Sequence, residues 1–408
     1  METVECIFPY INQLPKAELH CHFDGSLRLA SMLEEAKKQT QQHDEEVEED
    51  PENPLYVQKQ ISVLTKDEIK ELVQPPMGGD LIQYLQAFRY TLSVLQIKEA
   101  IHRLYLDLVE DLSDDGVIYA EIRFDPQLHT HLGLSLSEVL ATMCSAAADG
   151  YEEHGVTTKI IVSALKNQSA TYVTEVAQIG VEYSDSGVVA FDLCGPEESK
   201  ATSRFSTAVE LALEGGLHFT CHAGEVLGPD EMRDAMQYAT RIGHGTHAIE
   251  DPDLVVELVE NDICLEQCIT SNIHTNCVAS LDEHPIVNFI EAGVPIALST
   301  DNRLVSDCTL SSEYELLIEL LGKDFPLSTF VLLLLQPFKH GFASTAELVD
   351  VIERFFMHLF SFLHGIGVDI AVLSCEILLQ EDAHEFKEII CTTVLDIVRE
   401  ASSSSESE

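Results

Sequence analysis

Eight short β-rich runs alternate with longer amphipathic stretches along this chain, and that rhythm limits the possible folds more than any other feature. The runs lie at 17–23, 117–124, 159–165, 188–193, 218–222, 241–244, 264–268 and 295–300. Between most of them sits a helical pattern, as at 202–214 and 253–260. Such alternation argues for a parallel sheet, and eight units argue for a closed (β/α)8 TIM barrel of the α/β class. The runs are short and rich in Val, Ile and Leu, as parallel strands covered on both faces are. At 408 residues the chain can form such a barrel as one domain and bury a large core.

One connection breaks the rhythm. About ninety residues separate the first run from the second, too many for one crossover helix. The stretch at about 25–116 therefore reads as an insertion leaving from the mouth end of strand 1. It holds an acidic, mobile run at 43–52 and then a segment at 80–92. There Leu81, Tyr84, Leu85 and Phe88 fall at i, i+3, i+4 and i+7, which makes one helical face. That face is either a core-facing stripe or an apolar lid over a pocket. Helical patterns continue past the eighth run, at 313–321, 327–335, 346–362 and 385–400. The expected organisation is a barrel over 1–345, a helical extension over 346–400 packed on its outside, and a disordered acidic Ser/Glu tail over 401–408.

Composition narrows the function classes. The chain carries 23 basic and 70 acidic residues, a net charge of −47. Such a surface repels nucleic acid and anionic membrane. It also disfavours a phosphorylated substrate without a local basic pocket. The acidity is consistent with either solubility or an unusual ionic environment. The first residues lack the basic and apolar regions of a secretory signal, and the most apolar run, 330–335, is too short to span a bilayer. Eleven cysteines without a Cys-x-x-Cys pair read as the reduced thiols of a cytosolic protein. Cys264, Cys268 and Cys277 lie close together but lack a second pair at zinc-site spacing, and read as core or loop thiols.

Chemistry concentrates at the C-terminal ends of four runs. His20 and His22 end strand 1, and residues i and i+2 of a strand face the same side. Their imidazoles, the usual ligands of zinc and similar metals, converge on the barrel mouth. His222 ends strand 5, with Glu225 three residues on. His244 ends strand 6 between Gly243 and Gly245, which let the backbone come close to a ligand. Asp301 ends strand 8. A barrel of this type draws its catalytic groups from that rim, so residues spread from position 20 to position 301 can meet there. Asp301 and three histidines can hold one metal and leave a water position open. A second metal would need a bridging ligand from strand 4, whose end reads Asp192-Leu193-Cys194-Gly195, so the site is read as mononuclear. Bound water would ionise near neutral pH. His244 is suited to orient or deprotonate that water, and Glu225 to donate a proton to a ring nitrogen.

These residues resemble the adenosine deaminase family of zinc hydrolases over about 14–345. The matching segments are Leu14-Pro15-Lys16-Ala17-Glu18-Leu19-His20-Cys21-His22-Phe23-Asp24-Gly25-Ser26, His222-Ala223-Gly224-Glu225, Arg241-Ile242-Gly243-His244-Gly245, Thr270-Ser271-Asn272 and Ser299-Thr300-Asp301-Asn302. The resemblance implies one Zn2+ held by His20, His22, His222 and Asp301. It implies Glu225 as proton donor to purine N1 and His244 as the group that positions the attacking hydroxide. The implied reaction is hydrolytic deamination of adenosine and 2′-deoxyadenosine to inosine and deoxyinosine, in purine salvage. Implied substrate contacts are Asp24 to the ribose 5′-hydroxyl, the backbone N–H of Gly195 to purine N3, and Leu81, Tyr84, Leu85 and Phe88 as the hydrophobic lid. Asn302 departs from the Asp-Asp form of animal members and looks like a variant of many bacterial ones. An amide N–H donates to N7 at any pH, whereas a carboxyl must first be protonated. Ile269 stands where many members have proline, which alters loop stiffness.

The resemblance also sets the alternatives. Adenine deaminases tend to carry Glu where this chain has Asp24. AMP deaminases need cationic phosphate contacts, for which the rim offers Arg28, Arg123 and Lys166 at most. Asp24 would repel a 5′-phosphate. The expected partner is thus a small-molecule purine nucleoside, with adenine or AMP-type substrates as the alternative. An inactive nucleoside-binding paralogue is the non-enzymatic reading, against which all four implied ligands and Glu225 are present. The other zinc deaminase pattern, His-x-Glu with Pro-Cys-x-x-Cys, is absent, and neither nucleic acid nor membrane is an expected partner. Oligomeric state stays open.

Overall fold

The computed structural model describes residues 2–42, 49–79 and 81–405. Eight strands follow one another in chain order around a single parallel sheet. They are β1 (Lys16–His22), β2 (Val117–Phe124), β3 (Thr157–Leu165), β4 (Val188–Cys194), β5 (His218–Ala223), β6 (Arg241–His244), β7 (Cys264–Gln267) and β8 (Ile296–Leu298). Every run expected from the sequence is a strand, with ends within two residues. The ring closes just past β8: the Asp301 N–H donates to His20 O and the His22 N–H to Asp301 O, each at 2.8 Å. This is a (β/α)8 TIM barrel.

The strands are apolar on their outer face, and their inner face is largely polar, with Ile161 and Ala190 packing on Phe342 as an apolar exception. In β2, Ala120, Ile122 and Phe124 join the hydrophobic core, while Glu121 and Arg123 between them make ion pairs with strands on the far side of the barrel. Arg123 Nη2 lies 2.7 Å from Glu266 of β7, and Arg241 of β6 reaches Glu121 and Glu266 at 2.7 Å each. β2 is not a sheet neighbour of β6 or β7, so these contacts cross the barrel interior. The strands are buried on both faces, as expected, and charged side chains share the inner one. At the bottom, the Arg241 guanidinium stacks 3.6 Å over the ring of Phe342 and donates to His340 O at 3.0 Å. The 340–343 segment thereby plugs that end.

Among the described residues six helices lie in the long β1–β2 connection. Their starts carry local signals. Asn53 caps the helix Pro54–Ser62, and Thr65 forms a capping box with Glu68 at the start of Lys66–Val73. The expected single helix over 80–92 is instead two, Leu81–Leu85 and Phe88–Val94, joined by a tight turn in which the Ala87 N–H bonds Tyr84 O at 3.2 Å. Asp80 and most of the acidic 43–52 run lie outside the described residues.

After β8 the patterns at 313–321 and 327–335 correspond to the helices Leu310–Leu321 and Leu327–Lys339. Thr345–Gly365 and Lys387–Ser405 match the last two expected helices, and Ile370–Leu378 is an additional one between them. Arg354 ties Thr345–Gly365 to the start of β3, donating to Gly155 O at 3.1 Å and Thr157 Oγ1 at 2.6 Å. The helix Lys387–Ser405 runs into the segment expected to be a disordered tail, and 406–408 lie outside the described residues. All eleven cysteines are free. Among the described residues no helix is long and apolar enough to cross a membrane.

The crossed ion pairs set a stability expectation. Arg241→Leu leaves Glu121 and Glu266 short of their counter-charge inside the barrel. It should lower the unfolding free energy by about 3–5 kcal/mol, read from urea unfolding followed by circular dichroism.

Candidate active site

The C-terminal rim of the barrel gathers the predicted residues. His20 and His22 come from β1, His222 from β5, His244 from β6, and Asp301 from just past β8. Asp301 Oδ1 lies 3.4 Å from His20 Nε2 and 3.5 Å from His22 Nε2. His22 Nε2 and His222 Nε2 are 3.1 Å apart. His244 belongs to the same group, its ring centroid 4.9 Å from that of His20. Five donor groups therefore face one small volume.

Partners behind the rings aim them. The Nδ1–H of His20 donates to Glu266 Oε2 at 2.7 Å, and that of His222 to Asp192 Oδ1 at 3.1 Å. Burial opposes the charge on Glu266, but Arg123 and Arg241 outweigh it and hold the carboxyl well below its ordinary range. Asp192 is likewise depressed against burial, by His222 and Arg123. Each ionised carboxylate takes a ring proton at Nδ1, so Nε2 presents its lone pair to the centre. His20 Nε2 is buried and has no hydrogen-bond partner among the described residues. Asp301 is turned by Ser271, whose Oγ–H donates to Oδ2 at 2.6 Å and leaves Oδ1 for the centre. Three imidazoles, one of them with an orphaned buried nitrogen, and one carboxylate fit a divalent metal.

Backbone geometry is part of the fit. Asp301 and His244 both hold positive φ, 62° and 64°. Such conformers cost on the order of 1–3 kcal/mol at a non-glycine residue and persist where surrounding bonds impose them. The two barrel-closing bonds do so at Asp301. Gly243 is required by the close approach of His20: a Cβ there would stand 2.9 Å from His20 Cε1.

A cavity of about 370 Å³ opens above this cluster. His22, Asp24, Gly195, His222, Glu225, His244, Asp301 and Asn302 line it, together with Leu81, Tyr84, Leu85 and Phe88 from the insertion. Leu81, Tyr84, Leu85 and Phe88 pack with Ala87 and Val305 as a separate apolar cluster over the mouth. Tyr84 OH and Ser306 Oγ are 2.7 Å apart, which fastens this roof to the segment after Asp301. Glu225 sits 3.8 Å from His244 Nε2. Its loop is held by Glu197, which accepts the backbone N–H of Glu225 at 3.3 Å and of Val226 at 2.7 Å. Burial, with Asp301 and Glu197 nearby, pushes the Glu225 carboxyl up to about 8. Burial also lifts Asp24 to about 7, and its Oδ1 is without a partner among the described residues.

The rim cations expected from the sequence are all engaged elsewhere. Arg28 pairs with Asp111 at 2.6 Å and Glu110 at 2.7 Å, Arg123 is inside the barrel, and Lys166 Nζ donates to the backbone carbonyl of His222. Among the described residues Arg89 is the one Lys or Arg that lines the cavity. Sequence reasoning passed over Glu266, Glu197 and His284, and gave Asp192, Ser271 and Asn272 no task. Polar residues alternating with apolar ones in a buried strand are the signal that was available for the strand residues. The loop partners had none.

The adenosine deaminase family model matches residues 15–354. An adenosine deaminase of Mycolicibacterium gilvum is 32% identical over 374 residues, covering 87% of this chain and 98% of that protein. The chain belongs to the adenosine deaminase family. A probable adenosine deaminase of Dictyostelium discoideum is 33% identical over 90% of this chain, which spans 45% of that longer protein. An adenine deaminase structure from Arthrobacter aurescens superposes with a TM-score of 0.72 at 24% identity, covering 84% of this chain and 98% of that one, and shares the fold.

Asp192 does not line the cavity yet aims His222. Asp192→Asn should weaken metal binding by about 10–100-fold while the barrel stays folded, measured by zinc titration against a competing chelator.

Proposed function

We propose that the chain is a zinc-dependent adenosine deaminase, releasing ammonia from C6 of adenosine or 2′-deoxyadenosine to give inosine or deoxyinosine. The observation that carries this reading is the convergence of His20, His22, His222, Asp301, Glu225 and His244 on the floor of one roofed cavity. A centre with three imidazoles and one carboxylate suits Zn2+, with one ion per chain. When bound, the ion supplies Lewis acidity and a nucleophile at neutral pH.

The remaining steps belong to side chains. Glu225, protonated at neutral pH, donates to purine N1 and makes C6 more electrophilic. His244, whose Nε2 lies 3.8 Å from Glu225, orients the nucleophile. Asp24 accepts from the ribose 5′-hydroxyl, the Gly195 N–H meets N3 and the Asn302 amide donates to N7. Leu81, Tyr84, Leu85 and Phe88 cover the base and exclude water. Asp24, Glu52, Asp125 and Asp301 line the cavity against Arg89 alone, which favours a neutral nucleoside over a phosphorylated one. Free thiols throughout agree with a reducing, cytosolic setting.

The test is the fall in ultraviolet absorbance when zinc-replete protein meets adenosine, with deoxyadenosine, adenine and AMP in parallel. Adenosine and deoxyadenosine should be turned over, and chelator should abolish the reaction. Failure with every substrate overturns the proposal, and a clear preference for AMP moves it to nucleotides. Glu225→Gln should keep zinc and lower kcat by about 10²- to 10⁴-fold.

Gly25 gives a second expectation. A Cβ there would lie 1.8 Å from Asn302 Oδ1. Gly25→Ala must therefore displace the purine-facing amide. KM for adenosine should rise about tenfold or more, near 1.4 kcal/mol, with zinc content unchanged.

A further inference from the structure

His244 is close enough to the metal-facing cluster to be taken for a ligand, since His20, His222 and His244 form one group of donors within 4.8 Å. Distance does not separate it from the others, but hydrogen bonding does. The chain of contacts behind it starts at a group that can only donate. The backbone N–H of Ile286 donates to His284 Nδ1 at 3.3 Å. A neutral His284 then carries its proton on Nε2, which lies 3.2 Å from Asn272 Oδ1 and donates to it. With its oxygen so engaged, the Asn272 amide turns its NH2 toward His244 Nδ1, at 3.0 Å. His244 Nδ1 is therefore an acceptor, and the remaining ring proton sits on Nε2, facing the cavity.

This is the reverse of His20 and His222. Their Nδ1–H groups donate to the ionised carboxylates Glu266 and Asp192, which leaves Nε2 with its lone pair. His284, Asn272 and His244 are all buried, and burial pushes His284 down to about 4, which keeps it neutral. The Gln267 side-chain amide donates to the backbone carbonyl of His244 and holds the residue in its left-handed conformation.

We infer that Asn272 and His284 are positioning residues that lock His244 as the neutral Nε2–H tautomer, so that it meets the reacting position as a hydrogen-bond donor and stays outside the ligand set. The inference deepens the deaminase reading and rests on it for the role of His244. The tautomer itself is independent of any activity.

The test uses the full chain stripped of metal by chelator, with 15N-labelled histidine and two-bond 1H–15N correlation spectra. His244 should show the Nε2–H pattern, and His20 and His222 the Nδ1–H pattern. Asn272→Asp replaces the donating amide by an acceptor. It should flip His244 to Nδ1–H and lower kcat on adenosine by about 10²- to 10⁴-fold, with KM within a few-fold. His284→Gln keeps an N–H near the place of Nε2 and should preserve both the Nε2–H pattern and most of the rate. His284→Phe removes that donor and should preserve neither. An Nδ1–H pattern for His244 in the unmodified protein overturns the inference, whether or not the variants fold. So does an Asn272→Asp protein with unchanged tautomer and rate. If the unmodified protein turns over no purine, the deaminase reading fails while the spectra still decide the tautomer.

Discussion

Glu266 accepts from Arg123 of β2, Thr220 of β5, Arg241 of β6 and His20 of β1, all at 2.7–3.1 Å, so one carboxylate joins four other strands inside the barrel. Burying that charge is costly, and it is tolerated because two guanidiniums and two further donors surround it. Apolar side chains in place of the whole cluster, both arginines included, would leave the fold as stable, or more so. What they could not do is dictate which nitrogen of His20 carries a proton. Asp192 repeats the arrangement one layer around, bonded to Ser163 Oγ at 2.9 Å and His222 Nδ1 at 3.1 Å. The charged interior thus serves the rim above it: stability is spent on holding imidazole lone pairs in one direction.

The same economy explains the strained residues. Asp301 follows the shortest strand, and its backbone links β8 to β1 through two bonds of 2.8 Å. Its left-handed conformation is thereby enforced by ring closure, and the side chain is delivered between His20 and His22. An open sheet with the same sequence motifs would have no such constraint. Closure of the barrel and assembly of the site are one event in this molecule.

Much of this was legible in the sequence, because periodicity and the placement of His, Asp and Gly at strand ends are local signals. All eight strands follow from runs of β-formers, and the rim position of His20, His22, His222, His244 and Asp301 follows from the barrel. Less legible were contacts that exist only after closure. Arg123 looked like a rim cation because its orientation across the barrel to Glu266 depends on strands that lie 143 positions apart in the chain. The break between Leu85 and Phe88 was hidden because a stripe at i, i+3, i+4 and i+7 is equally well met by two short helices folded onto one surface. His284 sits in a loop with no periodicity at all, and its meaning comes only from the bonds on its two ring nitrogens.

The insertion limits what the cavity can admit. Among the described residues, its stretch from 66 to 88 is bonded to the segment after Asn302 by Tyr84 to Ser306, Gln74 Nε2 to Leu304 O at 2.9 Å, and the Lys70–Asp307 pair at 3.0 Å, which is exposed. Each is worth on the order of 1 kcal/mol or less. The barrel below is held by a continuous ladder and crossed ion pairs. Because the roof is anchored beside Asn302, the apolar cover over a base and the amide that would read its edge are in register with each other. That coupling suits a flat, neutral, heteroaromatic ligand better than one whose recognition depends on charge.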